Sequence, residues 1–354
     1  MRRRSISAVF LIATLPWPVA AAAAGYSATR VTIDGVAVIR LEDTARHTVV
    51  STVPSIGNIA FEMKVNGHDL LRFPFPSVGE FKKNPRMCGI PLLAPWADRL
   101  DENAFYANGR KFSFDPSLGN VQRDEAGYPI HGFLTLAPDW TVTALAADAK
   151  GARVTSRLDV SRRPEWMAQF PFAHAIEMTY SLADGVLEVR TRVENKSAEA
   201  MPLSIGYHSF FQIADAPRDE WRVGLGATRE WPVNQQLLPT GATRPLTELI
   251  ANPADFPLRG RGFDNGFTDM IRDGNGRASF WVKGKRQKIE VLFGPRYIAG
   301  EIYAPAGRDF ICFEPMAAIN NGLNLAHRGQ YKELQTIPAD ESWQESFWIR
   351  PSGY

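Results

Sequence analysis

The sequence has 354 residues, of which 45% are hydrophobic, with 40 Lys and Arg against 38 Asp and Glu. A chain of this length and hydrophobic content can bury a large core. Three of the 40 basic residues stand at positions 2–4, which leaves 37 basic against 38 acidic residues in the remainder. No stretch concentrates basic side chains into a stripe, which argues against nucleic acid as a partner.

The N-terminus has the pattern of a secretory signal peptide. Arg2–Arg4 precede an apolar run, Ala8–Ala20, which is followed by further alanines up to Ala24. The run is too short to span a bilayer, so a membrane anchor is disfavoured, and the alanines supply a cleavage site near Ala24. We predict a signal peptide at residues 1–24, export to the periplasm or the medium, and no stable membrane insertion after the leader is removed.

The remaining chain, residues 25–354, is predicted to form one domain. No linker, charge block or fixed-period repeat divides it. Cys88 and Cys312 are its only cysteines, so the core rather than a disulfide framework must stabilise an exported protein of this size. One disulfide and two buried thiols are both compatible with the sequence.

Short alternating apolar runs, often followed by turn dipeptides such as Asp34-Gly35 and Asn66-Gly67, predict strands throughout the chain. The predicted strands are Ala28–Ile33, Val36–Leu41, His47–Val53, Asn58–Val65, Ala152–Val160, Ala173–Leu182, Val186–Val193, Arg277–Lys283 and Lys288–Phe293. Together they indicate an all-β protein with mostly antiparallel strands.

Helical periodicity is confined to short pieces such as Thr247–Asn252. The spacing of Gly260, Gly262 and Gly266 follows no clear strand and precedes no helix, so it predicts a loop rather than a phosphate cradle. A doubly wound nucleotide-binding fold is therefore not expected.

The apolar run from 310 to 315 predicts a buried strand that carries one carboxylate. Because side chains alternate along a strand, Phe310, Cys312 and Glu314 share one face, and Ile311 and Phe313 share the other. A carboxylate on an apolar face costs free energy unless it is paired, hydrogen-bonded or protonated. A structural ion pair with an arginine and a catalytic role would both meet that requirement.

Residues 84–100 contain too many prolines for a regular element and predict a long, specified loop. Loops of this length are often functional, and Arg99 offers a planar fork of donors suited to hydroxyls or carboxylates. Pairing of Arg99 with Asp98 or Asp101 alone is the alternative. His131 follows in a turn beside apolar residues, where by itself it suggests a hydrogen-bonded structural histidine.

His208 stands on a predicted strand, over residues 203–212, after a strand and a turn. Alternation puts His208 with Ser204 and Gly206 on a small and polar face. That composition suits a cavity wall which a polar ligand approaches, although an exposed face would look similar. Asp264 lies between aromatic residues in a glycine-rich stretch, where by itself it predicts an ordinary Asx turn.

In this order, the segments resemble the aldose 1-epimerase (galactose mutarotase) family over nearly the whole chain after the leader. The most specific part is the Asn-x-Ser, Met-Pro and Gly-x-His-x-x-Phe pattern at Asn195–Phe211. Other matching segments are Asp98-Arg99-Leu100, His131-Gly132 with Trp140, Phe263-Asp264-Asn265 and Glu314-Pro315. The resemblance implies a β-supersandwich with few short helices and an open sugar-binding cleft.

The resemblance also implies the reaction and the residues for it. Interconversion of α and β anomers needs a base for the proton of the C1 hydroxyl and an acid for the ring oxygen. Glu314 would be the base and His208 the acid, while Arg99, His131 and Asp264 would bind the substrate. The implied partner is a small-molecule aldose, bound by a monomer or homodimer, without a metal or other cofactor.

Three positions depart from the family pattern. Asp98 replaces the usual Asn, Phe133 replaces a second Gly, and Ser209 stands where Pro is common. These departures bear on the substrate more than on the chemistry.

Two alternatives keep a sugar as the ligand. A sugar-phosphate 1-epimerase would need additional cations at the cleft, for which Lys82, Lys83 and Arg86 are candidates. A non-catalytic carbohydrate-binding protein would instead stack the sugar on aromatic rings such as Trp96 and Trp140.

A metal site is the remaining alternative. His131, His208 and Glu314 would supply two histidines and one carboxylate, a set that binds transition metals. No short His-x-His or His-x-x-x-His spacing supports this interpretation.

Overall fold

The computed structural model describes residues 20–23 and 25–354. The predicted signal peptide falls mainly on residues 1–19 and 24, which lie outside the described residues, whereas Ala20–Ala23 form a strand. The leader, its cleavage near Ala24 and the single domain at 25–354 therefore stay predictions. Among the residues that the structure describes, no helix is long and apolar enough to cross a membrane.

The first part of the described chain forms an antiparallel six-stranded sheet. Its strands are β1 (Ala20–Ala23), β2 (Tyr26–Ile33), β3 (Val36–Asp43), β4 (Thr48–Val53), β5 (Ile59–Val65) and β6 (His68–Asp69). Asp34 and Gly35 have φ of 51° and 73°, and Asn66 and Gly67 have φ of 49° and 81°. Tight hairpins require this backbone, so the two dipeptide signals are confirmed as turns.

The middle of the chain contains two short helices and ten strands in the described residues. In chain order they are α1 (Val78–Lys83), β7 (Leu92–Leu93), β8 (Ala104–Ala107), β9 (Arg110–Ser113), β10 (Thr141–Asp148), β11 (Gly151–Asp159), α2 (Pro164–Gln169), β12 (His174–Ala183), β13 (Val186–Asn195), β14 (Met201–Leu203), β15 (Gly206–Tyr207) and β16 (Ser209–Phe211). Single 3₁₀ turns occur at Pro116–Leu118, Val160–Arg162, Arg218–Glu220 and Leu246–Glu248.

The last third completes the large sheets. Its elements are β17 (Arg222–Leu225), β18 (Ala227–Trp231), β19 (Arg244–Pro245), β20 (Phe256–Pro257), β21 (Phe263–Met270), β22 (Ala278–Lys283), β23 (Lys288–Phe293), β24 (Ala299–Ala304), β25 (Ile311–Met316), α3 (Gly322–His327), β26 (Gln335–Ile337) and β27 (Ser342–Ser352). The helix expected near Thr247–Asn252 is only the 3₁₀ turn at Leu246–Glu248.

Two large sheets form from these strands. The nine-stranded sheet has the order β10-β11-β12-β13-β27-β23-β22-β17-β20, and the eight-stranded sheet has the order β19-β18-β21-β24-β25-β15-β7 with β16 paired to β25. Two small sheets pair β8 with β9 and β14 with β26. The pairings are antiparallel, so the prediction of an all-β, mostly antiparallel fold with few short helices is confirmed.

The sheets are arranged in two layers around one main core. Isolated bridges join Ala60 to Ile90 and Leu71 to Phe211, which places the six- and eight-stranded sheets side by side. The nine-stranded sheet packs across them. In that contact the ring of Phe280 on β22 lies 6.1 Å from the ring of Phe313 on β25. Burial of such aromatic side chains is the main stabilisation of the sandwich.

Strand β25 confirms the predicted alternation. Ile311 and Phe313 belong to the main core between the layers, whereas Phe310 and Cys312 belong to a separate small cluster on the opposite face. Glu314 shares that outer face, which is covered by loops rather than by a sheet. Cys88 and Cys312 are both buried free thiols, so the structure contains no disulfide between these two residues.

Two local predictions are wrong. The glycine-rich stretch predicted as a loop continues into β21 from Phe263 onward, because its backbone pairs with both β18 and β24. The predicted strand at 203–212 is interrupted at Ile205 and at His208, and the His208 N–H donates to the carbonyl of Pro91 at 3.1 Å. Both deviations come from long-range backbone pairing that local composition does not encode.

Candidate active site

Three strands of the eight-stranded sheet and the break between β15 and β16 align one residue each into a row across its outer face. The register pairs Gly266 with Glu301 and Glu301 with Glu314. The pairing of Ser209 with Phe313 on the next strand puts His208 opposite Glu314. Residues directly opposite each other in a sheet project to the same face. The row therefore brings two carboxyl groups and one imidazole together.

A second row lies two residues further along the same strands. The register pairs Asp264 with Tyr303, Tyr303 with Cys312 and Cys312 with Phe210. Positions two residues apart share a face, so this row borders the first. The ring of Phe210 lies 4.6 Å from that of His208 and 5.5 Å from that of Phe310. The second row thus supplies an acid and an aromatic wall.

Loops complete a cleft of about 850 Å³ over these rows. The 84–100 loop contributes Asp98 and Arg99, a following turn contributes His131, and Gln235 and Gln236 stand at the rim. The cleft therefore contains all five residues predicted from the sequence, Glu314, His208, Arg99, His131 and Asp264. Their catalytic and binding roles remain predictions.

Glu314 and His208 form the innermost pair. His208 Nε2 lies 3.3 Å from Glu314 Oε1, and both side chains are almost fully buried. Burial lowers the pKa of His208 to about 4. Burial, with the carboxylates of Asp98 and Asp264 nearby, raises the pKa of Glu314 well above its ordinary range. His208 is therefore neutral near neutral pH, and Glu314 keeps its proton to higher pH than an ordinary carboxyl group does.

His131 is oriented by the loop that carries Asp98. The N–H of His131 donates to the Asp98 carbonyl at 2.9 Å, and the N–H of Asp98 donates to His131 Nδ1 at 3.2 Å. Because Nδ1 accepts, the neutral ring carries its proton on Nε2. Burial, together with the nearby His208, lowers the pKa of His131. His131 is thus a neutral N–H donor whose ring lies 5.6 Å from that of His208.

Arg99 binds three carboxylates at once. Its guanidinium lies 3.0 Å from Asp98 Oδ1, 2.9 Å from Asp124 Oδ2 and 3.7 Å from Asp264 Oδ2. The alternative predicted from the sequence was that Arg99 pairs only with a neighbouring acid. The contact with Asp98 is present, but Arg99 also lines the cleft. Asp101, the other candidate partner, pairs with Arg328 instead.

Sequence analysis missed Glu301. This residue lies on β24, opposite Glu314, is 4% exposed and lines the cleft. Burial and the neighbouring carboxylates of Asp98, Asp264 and Glu314 raise its pKa well above the ordinary range. The signal was an acid in a short apolar run, as at Glu314, but residues 299–304 were not recognised as a strand.

The aromatic residues proposed for sugar stacking are elsewhere. Trp96 and Trp140 belong to the main core, where the ring of Trp96 stacks on that of Phe114 at 4.9 Å. In the described structure the cleft is instead bordered by Phe210, Tyr303 and Phe310.

The other candidate ligands are also separated from the cleft or from one another. Arg86 lines the cleft, whereas Lys82 and Lys83 are exposed on α1 and are not among the described lining residues. No group of three or more His, Cys, Asp or Glu side chains within residues 20–23 and 25–354 is arranged to hold a metal ion. His131, His208 and Glu314 therefore do not form the metal site considered from the sequence.

The antiparallel two-layer fold, with its polar cleft on an outer sheet face, is that of the galactose mutarotase-like proteins. A family model described as Aldose 1-epimerase matches residues 38–350. The chain belongs to the aldose 1-epimerase family.

Individual relatives are distant in sequence. The uncharacterized protein YphB of Escherichia coli K12 is 23% identical over 265 residues, which are 73% of this chain and 82% of YphB. A galactose mutarotase-like protein from Clostridium acetobutylicum superposes with a TM-score of 0.81 at 23% identity, over 94% of this chain and 100% of the other. Galactose 1-epimerase from Lactobacillus acidophilus superposes with a TM-score of 0.70 at 14% identity, over 92% of this chain and 99% of the other. These structural similarities establish the fold.

Proposed function

We propose that the protein is an aldose 1-epimerase that interconverts the α and β anomers of a free aldose. The observation that carries this proposal is the Glu314–His208 pair, with Nε2 and Oε1 3.3 Å apart on the floor of the cleft. Two groups that share one proton can supply the acid and the base of one proton-transfer reaction. Membership of the aldose 1-epimerase family supports the same reaction.

In the proposed reaction the C1 hydroxyl loses its proton to the base while the ring oxygen gains one from the acid. The bond between C1 and the ring oxygen breaks, and the open-chain aldehyde forms. Rotation about the C1–C2 bond and the reverse proton transfers close the ring as the other anomer. Glu314 is the base and His208 the acid when the proton stands on His208, and the roles exchange for the reverse step.

The unliganded cleft holds that proton on Glu314, because burial disfavours both the carboxylate and the imidazolium. Turnover can therefore begin from neutral Glu314 and neutral His208, with His208 accepting and Glu314 donating. Either starting state has one acid and one base. What the chemistry requires is one proton in total on the pair.

The other residues bind and orient the sugar in this proposal. His131 donates from Nε2 and Arg99 from its guanidinium to the ring and hydroxyl oxygens of the sugar, and Asp264 accepts from hydroxyls. Phe210 and Tyr303 face the apolar side of the ring.

A free aldose fits this cleft better than a sugar phosphate. Among the described residues, three arginines line the cleft, and Arg86 is the only one of them that was among the proposed additional cations. Arg99 already faces three carboxylates, and Arg123 donates to Asn103 and to the carbonyl of Gly127. The carboxylates of Asp98, Asp124 and Asp264 offset the positive charge that Arg99 could offer to a phosphate dianion. Export, which remains a proposal, would also separate the protein from phosphorylated cytosolic sugars.

Polarimetry on a panel of freshly dissolved aldoses tests the function. We expect at least one sugar to reach anomeric equilibrium faster in proportion to protein concentration. Sugar binding by calorimetry without any acceleration would instead support a non-catalytic carbohydrate-binding protein.

Intact mass tests the proposed export. We expect the protein recovered from the periplasm or the medium to begin near Gly25, because the alanine run supplies the cleavage site there. Exported protein that keeps Arg2–Arg4 would contradict removal of the leader.

A further inference from the structure

Glu301 lies between two spaces. On one side its carboxyl group faces the cleft, and on the other it lines a small internal cavity on the same outer face of the sheet, bordered by Gly266 and Trp231. Gly266 also lines that cavity, and a Cβ at Gly266 would lie 4.0 Å from Glu301 Oε2. A Cβ at that distance would be in ordinary van der Waals contact, so Gly266 borders both the Glu301 carboxyl group and the cavity.

The small cavity is lined by three polar groups that lack a partner. Trp231 Nε1, Asn320 Oδ1 and Glu301 Oε2 are buried without a hydrogen-bond partner among the described residues. The three side chains are 7%, 6% and 4% exposed. Asn320 Nδ2 donates to the carbonyl of Leu237 at 2.8 Å, which fixes Oδ1 as the atom left over. Leaving such groups unpaired in the interior is unfavourable, so a partner is expected.

One water molecule matches these groups. The cavity offers about 10 Å³ to the centre of a water molecule, which is close to the minimum of roughly 10–15 Å³ for one water. A single water accepts one bond from the N–H of Trp231 and donates one bond each to Asn320 and Glu301. That arrangement satisfies all three protein groups and uses both hydrogens of the water.

On its other side Glu301 neighbours the carboxyl groups of Asp98 and Asp264, and Oδ2 of Asp98 is likewise buried without a hydrogen-bond partner among the described residues. Two carboxyl groups can hydrogen-bond to each other only if one carries a proton. The charged groups that face Glu301 are Asp98 and Arg99 from the loop, Asp264 from β21 and Glu314 from β25. Three carboxyl groups surround it and one cation is near, which favours a proton on Glu301.

We propose that Glu301 is a proton-bearing positioning residue, held by an internal water molecule on Trp231 and Asn320, that donates its proton to Asp98. Glu301 acts on the cleft through Asp98, because Asp98 pairs with Arg99 and orients His131. As a neutral group beside Glu314 it also avoids adding a further charge to the pair. This consequence rests on the proposed function, whereas the proton and the water do not.

Infrared spectroscopy tests the proton without any sugar. The Glu314→Gln/Asp264→Asn variant removes two other carboxyl groups whose pKa is raised, and mildly alkaline buffer ionises Asp98, whose pKa is raised to about 6. We expect the C=O band of a protonated acid in this variant, and its loss when Glu301→Gln is added. Glu230→Gln in the same background is the control, since Glu230 is a buried partner of Arg244 at 2.8 Å and should leave the band in place. Absence of the band, or its survival in Glu301→Gln, would overturn the proposal.

Trp231→Phe tests the water. It keeps an aromatic ring and removes the N–H, so the water loses its donor and its hold on Glu301. We expect the Glu301 C=O band to move to higher wavenumber, as it does when a carbonyl loses a hydrogen bond. An unchanged band in folded protein would refute the water site.

Kinetics test the positioning role. Glu301→Gln can still donate to Asp98, so kcat/KM should stay within about threefold, whereas Glu301→Ala should lower it about tenfold or more, mainly through KM, because a buried acceptor is left unpaired. Equal kcat/KM in the two variants would contradict the role. If no aldose is turned over at all, the infrared result still stands by itself.

Discussion

Glu230 and Glu314 lie in the same eight-stranded sheet, on β18 and β25, and are 1% and 3% exposed. Glu230 accepts from Arg244 Nε and from Asn265 Nδ2, both at 2.8 Å. Glu314 instead faces neutral His208 and lies near other carboxyl groups. Equal burial thus gives a stabilised carboxylate at one position and a proton-holding group at the other, and the partners make the difference.

This comparison also answers the question that the sequence left open. A structural ion pair was one explanation for a carboxylate in the 310–315 strand. Glu230 forms a pair of that kind with Arg244. No arginine or lysine among the described residues forms a salt bridge with Glu314. A carboxyl group without a cation beside it retains its proton to higher pH and can transfer it.

The largest expected effect separates the two glutamates. Glu314→Gln should lower turnover by about 10²-fold or more with little loss of stability, because it removes a proton-transfer group and no ion pair. Glu230→Gln should leave turnover per folded molecule within about threefold and cost about 1–3 kcal/mol of stability, because Arg244 loses a charged partner. Thermal unfolding and polarimetry on the same preparations measure both. The reverse pattern would assign the structural role to Glu314.

His208→Asn should reduce turnover by about 10²-fold, since one member of the pair can no longer exchange a proton. The double variant with Glu314→Gln should lose much less than the product of the two single losses, because residues that act as a unit are not additive. Initial rates for the four proteins complete the cycle. Multiplicative losses would show that Glu314 and His208 act independently.

Arg99→Lys should have a smaller effect, about tenfold and mainly on KM. A lysine keeps the charge but cannot reproduce the planar fork that bonds Asp98 and Asp124 while facing the cleft. Michaelis kinetics give the division between KM and kcat. A loss confined to kcat would mean that Arg99 acts on the transition state alone.

The pH dependence of kcat/KM should show a broad plateau with a fall on each side. Active protein needs one proton on the pair. Below about pH 4, His208 becomes protonated while Glu314 still carries its proton, so the pair holds two protons and no base remains. At alkaline pH, Glu314 ionises while His208 is neutral, and no acid remains. The plateau of kcat/KM should therefore extend from about pH 4 to beyond the ordinary carboxyl range, whereas an alkaline limb near pH 4.5 would contradict the raised pKa of Glu314.

Much of the fold was predictable because period-two alternation and turn dipeptides are local signals. The same alternation correctly put Glu314 and Cys312 on one face. Glu301 was missed because Gly300, alanines and the acid itself weaken the strand signal of β24, although β24 is as long as β25. Only the register with β25 reveals that Glu301 stands opposite Glu314.

Other errors have the same physical origin. The stretch after Gly262 was predicted as a loop since its glycines and acids are rare in strands, yet pairing on both sides makes it β21. Trp96 was considered as a sugar platform, but it packs on Phe114 in the core. Local composition indicated which residue types were available, and long-range pairing decided which of them meet.

The most direct test of the central claim measures anomer exchange at equilibrium. NMR magnetisation transfer between the α and β anomeric protons of a responsive aldose reports interconversion itself, without binding or mixing effects. The account predicts exchange proportional to wild-type protein and about 10²-fold slower, or lost, in folded Glu314→Gln protein. Exchange at the wild-type rate in that variant would contradict the assignment of Glu314 and His208 as the working pair.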